Sequence, residues 1–158
     1  MTKKLVMASV ALMLLALLLS ACGSAPKSNK EKLEIRISAT SDVNPDLNDR
    51  PSPVILHILE LTSIDGFNRA TFFELTENDA AALGGDVLNK SEIILTPGGT
   101  SETVLDMDSQ ISFLGFVAAY RDIDNSRWRV SQEVIPGKTD FVTLDIGRQQ
   151  ITIAEVNN

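Results

Sequence analysis

Residues 54–61 read VILHILEL, apolar at every position except His57 and Glu60. In a strand successive side chains alternate between two faces, so a run apolar on both describes a central strand covered on two sides. ISFLGFVAAY (111–120) reads the same way. LEIRISAT (33–40) differs, because Leu33, Ile35, Ile37 and Ala39 alternate with Glu34, Arg36 and Ser38, the pattern of a strand with one buried and one wet face. SEIILT and TSETVLDM flank Pro97-Gly98, and RWRVSQEV and DFVTLDI flank Pro136-Gly137. Proline then glycine suits the central positions of a type II turn, since proline fixes the first φ and glycine accepts the positive second one. Two hairpins are expected there, with QITIAE as a last strand. Eight strands at short intervals favour an all-β, two-sheet β-sandwich over a parallel sheet. Trp128 shares a strand face with Val130 and Val134 and is expected in the core, with Arg127 and Arg129 on the opposite face.

One stretch departs from strand periodicity. ATFFELTENDAAALGGDVL (70–88) sets Thr71 and Glu74 at capping-box spacing, then offers Asp79 as a second N-cap before an alanine run that Gly84-Gly85 stops. It predicts two short helices inserted in the sandwich.

The chain has 158 residues and a single cysteine, placed at the edge of its most apolar segment. Lys3 and Lys4 precede an uncharged run from Leu5 to Leu19, and the small residues Ser20 and Ala21 follow. This is the layout of an export signal, and the run falls short of the ~20 residues of a spanning helix. Leu19-Ser20-Ala21-Cys22 resembles the lipobox of bacterial lipoproteins, which implies cleavage before Cys22 and acylation of its thiol and new amino group. The expected organisation is a signal peptide at 1–21, an acylated cysteine and flexible tether at 22–32, and a sandwich domain at 33–158. Each buried methylene adds about 0.8 kcal/mol, so several acyl chains hold such a protein on its membrane. Gly23 after the cysteine favours outer-membrane sorting by the same resemblance.

Loss of Lys3 and Lys4 with the signal takes the formal charge from −7 to −9. That balance argues against nucleic acid or anionic headgroups as partners, which need a basic surface. With Cys22 consumed by lipid, no second cysteine remains for a disulfide, a Cys-His pair or a zinc site. His57 is the sole histidine and sits inside an apolar strand, where a structural role is expected. Gly137-Lys138-Thr139 lacks the upstream glycine of a phosphate loop, Gln132 standing in its place, and reads as a turn. Asp106/Asp108 and Asp122/Asp124 would form a calcium site only if their loops converged. No catalytic constellation is present, no cofactor is expected beyond the covalent lipid, and the chain does not read as an enzyme.

SDVNPDLNDRPSP (41–53) is longer than the usual connection and carries three prolines, two asparagines and three aspartates between confident strands. A proline-stiffened loop on a rigid sandwich is a binding edge whose ordering cost is partly met beforehand, the alternative being a passive crossover between sheets.

LGFVAAYRDIDNSRWRV (114–130), with DVNPD (42–46), RPSPVILHILEL (50–61), FNRATFFEL (67–75) and ALGGDVL (82–88), resembles the TssJ family, the outer-membrane lipoproteins of type VI secretion systems. The blocks cover nearly the whole mature domain in order, with Leu59 where an aromatic residue is expected. The resemblance implies a transthyretin-like sandwich with a small helical addition. It also implies attachment to the inner leaflet of the outer membrane, facing the periplasm. The implied partner is the periplasmic C-terminal part of the inner-membrane protein TssM, and through it TssL. Contact is implied mainly through the loop between the first two strands, here Asn44, Pro45, Asp46, Asn48, Asp49 and Arg50. The competing class is an envelope lipoprotein that binds a small ligand or glycan.

Overall fold

The computed structural model describes residues 31–157, so the export signal and Cys22 lie outside the described residues. Eight strands appear: β1 (Glu31–Ala39), β2 (Val54–Leu61), β3 (Val87–Leu95), β4 (Thr100–Met107), β5 (Phe113–Ala119), β6 (Arg129–Glu133), β7 (Phe141–Ile146) and β8 (Ile151–Asn157). They form two four-stranded sheets, ordered β4-β1-β7-β8 and β3-β2-β5-β6. β1 and β7 run parallel, every other pairing between these strands is antiparallel, and an isolated parallel bridge joins Arg127 to Gln150. The inward faces supply the main core: Leu33, Ile35 and Ile37 from β1 and Val142, Leu144 and Ile146 from β7 meet Val54, Leu56 and Ile58 from β2 and Leu114, Phe116 and Ala118 from β5. β2 and β5 occupy the centre of the second sheet, as their two-sided apolar runs require.

The second apolar face of β2 and β5 is covered by the insertion. Leu59, Leu61 and Val117 pack with Phe67, Ala70, Leu75 and Leu83 in a separate buried cluster, and Leu59 is fully buried there. The insertion holds three helices rather than two: α1 (Asp65–Arg69), α2 (Phe72–Glu77) and α3 (Asp79–Leu83), followed by a 3-10 turn at Gly84–Asp86. The capping box forms at α2, with the Thr71 hydroxyl accepting from the Glu74 amide while the Glu74 carboxylate accepts from the Thr71 amide. The N-cap position of α3 is Asn78, with no side-chain capping bond, rather than Asp79, whose carboxylate lies 3.1 Å from Lys90 Nζ. α1 carries no side-chain N-cap and so has little local signal; the sheet holds it instead. Its Phe67 ring lies on Gly115 of β5, where an added Cβ would come within 2.6 Å of the ring.

Cationic side chains from both sheet edges finish these helices. Arg129 Nη1 of β6 donates to the carbonyls of Phe67 (2.9 Å) and Ala70 (2.8 Å) at the end of α1. Lys90 Nζ of β3 donates to Leu75 (3.0 Å) and Thr76 (2.7 Å) in the last turn of α2. The final carbonyls of a helix lack internal partners and carry its negative dipole end, so a cation satisfies both needs.

Both Pro-Gly turns form as read, but neither makes a hairpin. Gly98 and Gly137 have φ of 72° and 75°, and the amides of Gly99 and Lys138 close the turns onto the Thr96 and Ile135 carbonyls at 2.9 and 3.0 Å. β3 and β4, and likewise β6 and β7, belong to different sheets. The physical reason is twist: tight hairpins use the mirror-image turns, whereas a type II turn splays its flanking strands and here carries the chain across the sandwich. Trp128 meets expectation in part, packing against both buried clusters without being fully enclosed. It is half-buried beside edge strand β6, edge-on to Phe72 at 5.5 Å and beneath the Arg129 guanidinium at 4.8 Å. An edge strand has no neighbour outside it to complete the burial.

Strand directions sort the connections between two ends. Glu31, the helical insertion and segments 108–112 and 134–140 lie at one end; loops 40–53, 96–99, 120–128 and 147–150 gather at the other. β1 has nine residues and separates the ends by about 30 Å.

Candidate functional site

The loop between β1 and β2 is organised by one carboxylate. Asp46 accepts from the amides of Asn48 (2.8 Å) and Arg50 (3.1 Å) and from Arg50 Nε (2.8 Å), with Arg50 Nη2 at 2.7 Å. The Asp46 amide in turn donates to the Arg50 carbonyl at 2.9 Å, closing the segment on itself. The Arg50 side chain, followed by the two backbone amides, holds the Asp46 carboxyl down at about 2. Asp49 takes a φ of 60° at the bend and pairs with Arg148.

Asn44 faces inward rather than toward solvent. It is 3% exposed, with a φ of 48°. Its Nδ2 donates to the Pro53 carbonyl at 2.6 Å, its Oδ1 accepts from the Arg121 amide at 2.8 Å, and its own amide donates to the Arg148 carbonyl at 2.9 Å. One side chain thus bolts together the two legs of its loop and the start of loop 120–128. Tyr120 adds a second tie, its hydroxyl donating to the Gly147 carbonyl at 3.1 Å, and burial pushes its pKa well above the usual phenol value. Gln149 Nε2 donates to Asp122 Oδ2 at 3.2 Å, joining the remaining loop.

Between these loops lies an open groove of about 770 Å³ lined by Pro45, Asp46, Leu47, Asn48, Asp49, Arg121, Asp122, Arg148 and Gln149. Of the residues expected to meet a partner, Pro45, Asp46, Asn48 and Asp49 line it directly, Arg50 braces Asp46, and Asn44 sits beneath. The sequence reading passed over Leu47, which is fully exposed at the loop tip between Asp46 and Asn48. An aliphatic residue in an otherwise polar, proline-bounded loop was the available signal. Arg121 was missed too; its guanidinium makes no ion pair among the described residues.

The other sequence candidates lie elsewhere. His57 is buried on the outward face of β2, its Nδ1 3.0 Å from Glu92 Oε1 but out of line for a hydrogen bond, and burial holds its pKa below the usual value despite that carboxylate. Gly137-Lys138-Thr139 is a turn, with the Thr139 hydroxyl accepting from the Ile135 amide at 3.0 Å. Asp106/Asp108 and Asp122/Asp124 lie at opposite ends of the sandwich, so their loops do not converge.

The family model described as Type VI secretion lipoprotein, VasD, EvfM, TssJ, VC_A0113 matches residues 31–152. No curated protein sequence matches the chain. Among solved structures, the lipoprotein TssJ1 of Pseudomonas aeruginosa is 33% identical with a TM-score of 0.77, covering 82% of this chain and 98% of its own. Serratia marcescens Lip, a membrane-bound component of the type VI secretion system, is 21% identical with a TM-score of 0.73 and covers 79% and 98%. A chain in a structure of the TssM C-terminal domain from EAEC is 21% identical with a TM-score of 0.67, covering 79% and 98%. The last two identities speak to the fold alone. Family match, two-sheet fold and the likeness to TssJ1 together place this chain in the TssJ family of type VI secretion lipoproteins.

Proposed function

We propose that the chain is anchored in the inner leaflet of the outer membrane through lipid on Cys22, faces the periplasm, and there holds the C-terminal periplasmic domain of TssM, and through it TssL. The observation that carries this reading is the separation of two ends. The strand nearest Cys22 in sequence enters at Glu31, while the laced loops and their groove lie at the other end of β1. An anchor at the first end presents the groove away from the lipid, toward a partner that must cross the periplasm. Pro45, Leu47, Asn48, Asp49 and Arg121 form the contact surface, and Asn44, Asp46 and Arg50 keep it in shape. Preorganisation of this kind lowers the ordering cost of association. A small-ligand or glycan site gains no support, because the groove is open, has no aromatic lining and is lined mostly by polar or charged residues.

Leu47 and Asn48 test this. Both residues are exposed, so Leu47→Asp with Asn48→Ala should leave the melt unchanged while abolishing capture of the TssM periplasmic domain. Undiminished capture would sink the docking assignment. Cys22→Ser in the full chain should move the protein to the soluble periplasmic fraction with binding intact; retention on outer-membrane vesicles would refute the anchor.

A further inference from the structure

The helical insertion covers only part of the outward face of the second sheet. Toward the loop end, one row of that face lies outside the helix-covered cluster: Ile94 of β3, Ile55 of β2 and the partly buried Ala119 of β5 are direct register partners. Ile94 is 70% and Ile55 38% exposed. Register partners on one face stand about 5 Å apart, so these three side chains make a continuous apolar strip across three strands. Below it, in the next row of that face, His57 is buried while its register partner Glu92 is exposed. Above it the strip runs into the groove along two strands. Ile55 follows the exposed Pro53 on the returning leg of loop 41–53, and Ala119 precedes Tyr120 and the groove-lining Arg121.

We propose that this strip is the second half of the docking surface, and that an aliphatic segment of the same partner that occupies the groove lies across Ile55, Ile94 and Ala119. The inference rests on the docking reading above. Continuity along the chain identifies the occupant, because Ala119 lies two residues before the groove-lining Arg121, so that a partner seated on Arg121 is next to the strip. Position argues against lipid, since the strip lies at the end remote from Glu31. Polar loops then supply orientation while the strip supplies apolar burial, the division between rim and core found in specific interfaces.

The test compares three single variants of the full chain, Ile94→Asp, Leu47→Asp and Val104→Asp, for affinity to the purified TssM periplasmic domain, with self-association followed by sedimentation. Val104 is 53% exposed on the outward face of the other sheet and controls for loss of an exposed aliphatic residue. Ile94→Asp should weaken binding at least tenfold, about 1.4 kcal/mol, with Val104→Asp unchanged. Unaltered affinity in Ile94→Asp beside lost affinity in Leu47→Asp overturns the strip and leaves the groove standing. Full affinity in both overturns the two together. A wild-type dimer that Ile94→Asp dissociates without affecting TssM affinity overturns the proposal in favour of a second copy of this chain. Should Ile94→Asp fold poorly, Ile94→Ser, with the same readout, replaces it.

Discussion

Asn44→Ala isolates the bolt beneath the groove. The substitution removes two side-chain hydrogen bonds, leaving the Arg121 amide and the Pro53 carbonyl without their partner. At about 1 kcal/mol for each bond in a part-buried setting, that loss is about 2 kcal/mol. Alanine must also hold the φ of 48° that asparagine tolerates, at about 1 kcal/mol more. Asn44→Ala should therefore destabilise the fold by about 3 kcal/mol in urea denaturation. Asn44→Gly loses the same bonds but accepts the backbone angle, while leaving more entropy in the unfolded chain. It should be milder than alanine by about 0.5–1 kcal/mol. Affinity for TssM should fall in both variants even well below the unfolding transition, because loops 41–53 and 120–128 lose their common fastening. The reasoning fails if alanine is tolerated within about 0.5 kcal/mol, or if glycine is the more damaging change.

Asp46 predicts a pH dependence. Its folded pKa, about 2, is depressed below the ordinary aspartate value of 3.8, so its contribution to loop order is fully present above that unfolded value and is lost as pH falls through the folded one. Partner binding should therefore show no loss from loop disordering down to about pH 4, with carbon-detected NMR placing the Asp46 titration near 2; a midpoint near 4 would contradict the Arg50 clamp. Gly115→Ala should cost about 1–3 kcal/mol by forcing the Phe67 ring off β5, since the new Cβ would stand 2.6 Å from it. Calorimetry checks this, and an unchanged melting temperature would mean the helices shift freely on the sheet.

The strands were legible because period-2 burial is written into each segment, and the two-sided runs of β2 and β5 announced a cover that the helices supply. Pairing was less legible. The Pro-Gly turns were identified by residue type, but their consequence lay in handedness, which separates a hairpin from a crossing between sheets. α1 was invisible for another reason: its support comes from Gly115 and Arg129, far along the chain, and not from its own termini.

The loop shows the same limit at the site itself. Polar residues in a proline-rich segment look alike in sequence, yet Asn44 is an internal fastener, Asp46 a frame and Asn48 an exposed residue tied to that frame by its backbone amide alone. What separates Asn44 from Asn48 is the backbone amide of Arg121, 77 residues away. Exchanging Val43–Asn48 wholesale would therefore confuse folding with binding, because Val43 is fully buried and Asn44 ties the loops together. Docking can be tested cleanly only through side chains the fold does not use, and at the tip of this loop those belong to Leu47 and Asn48.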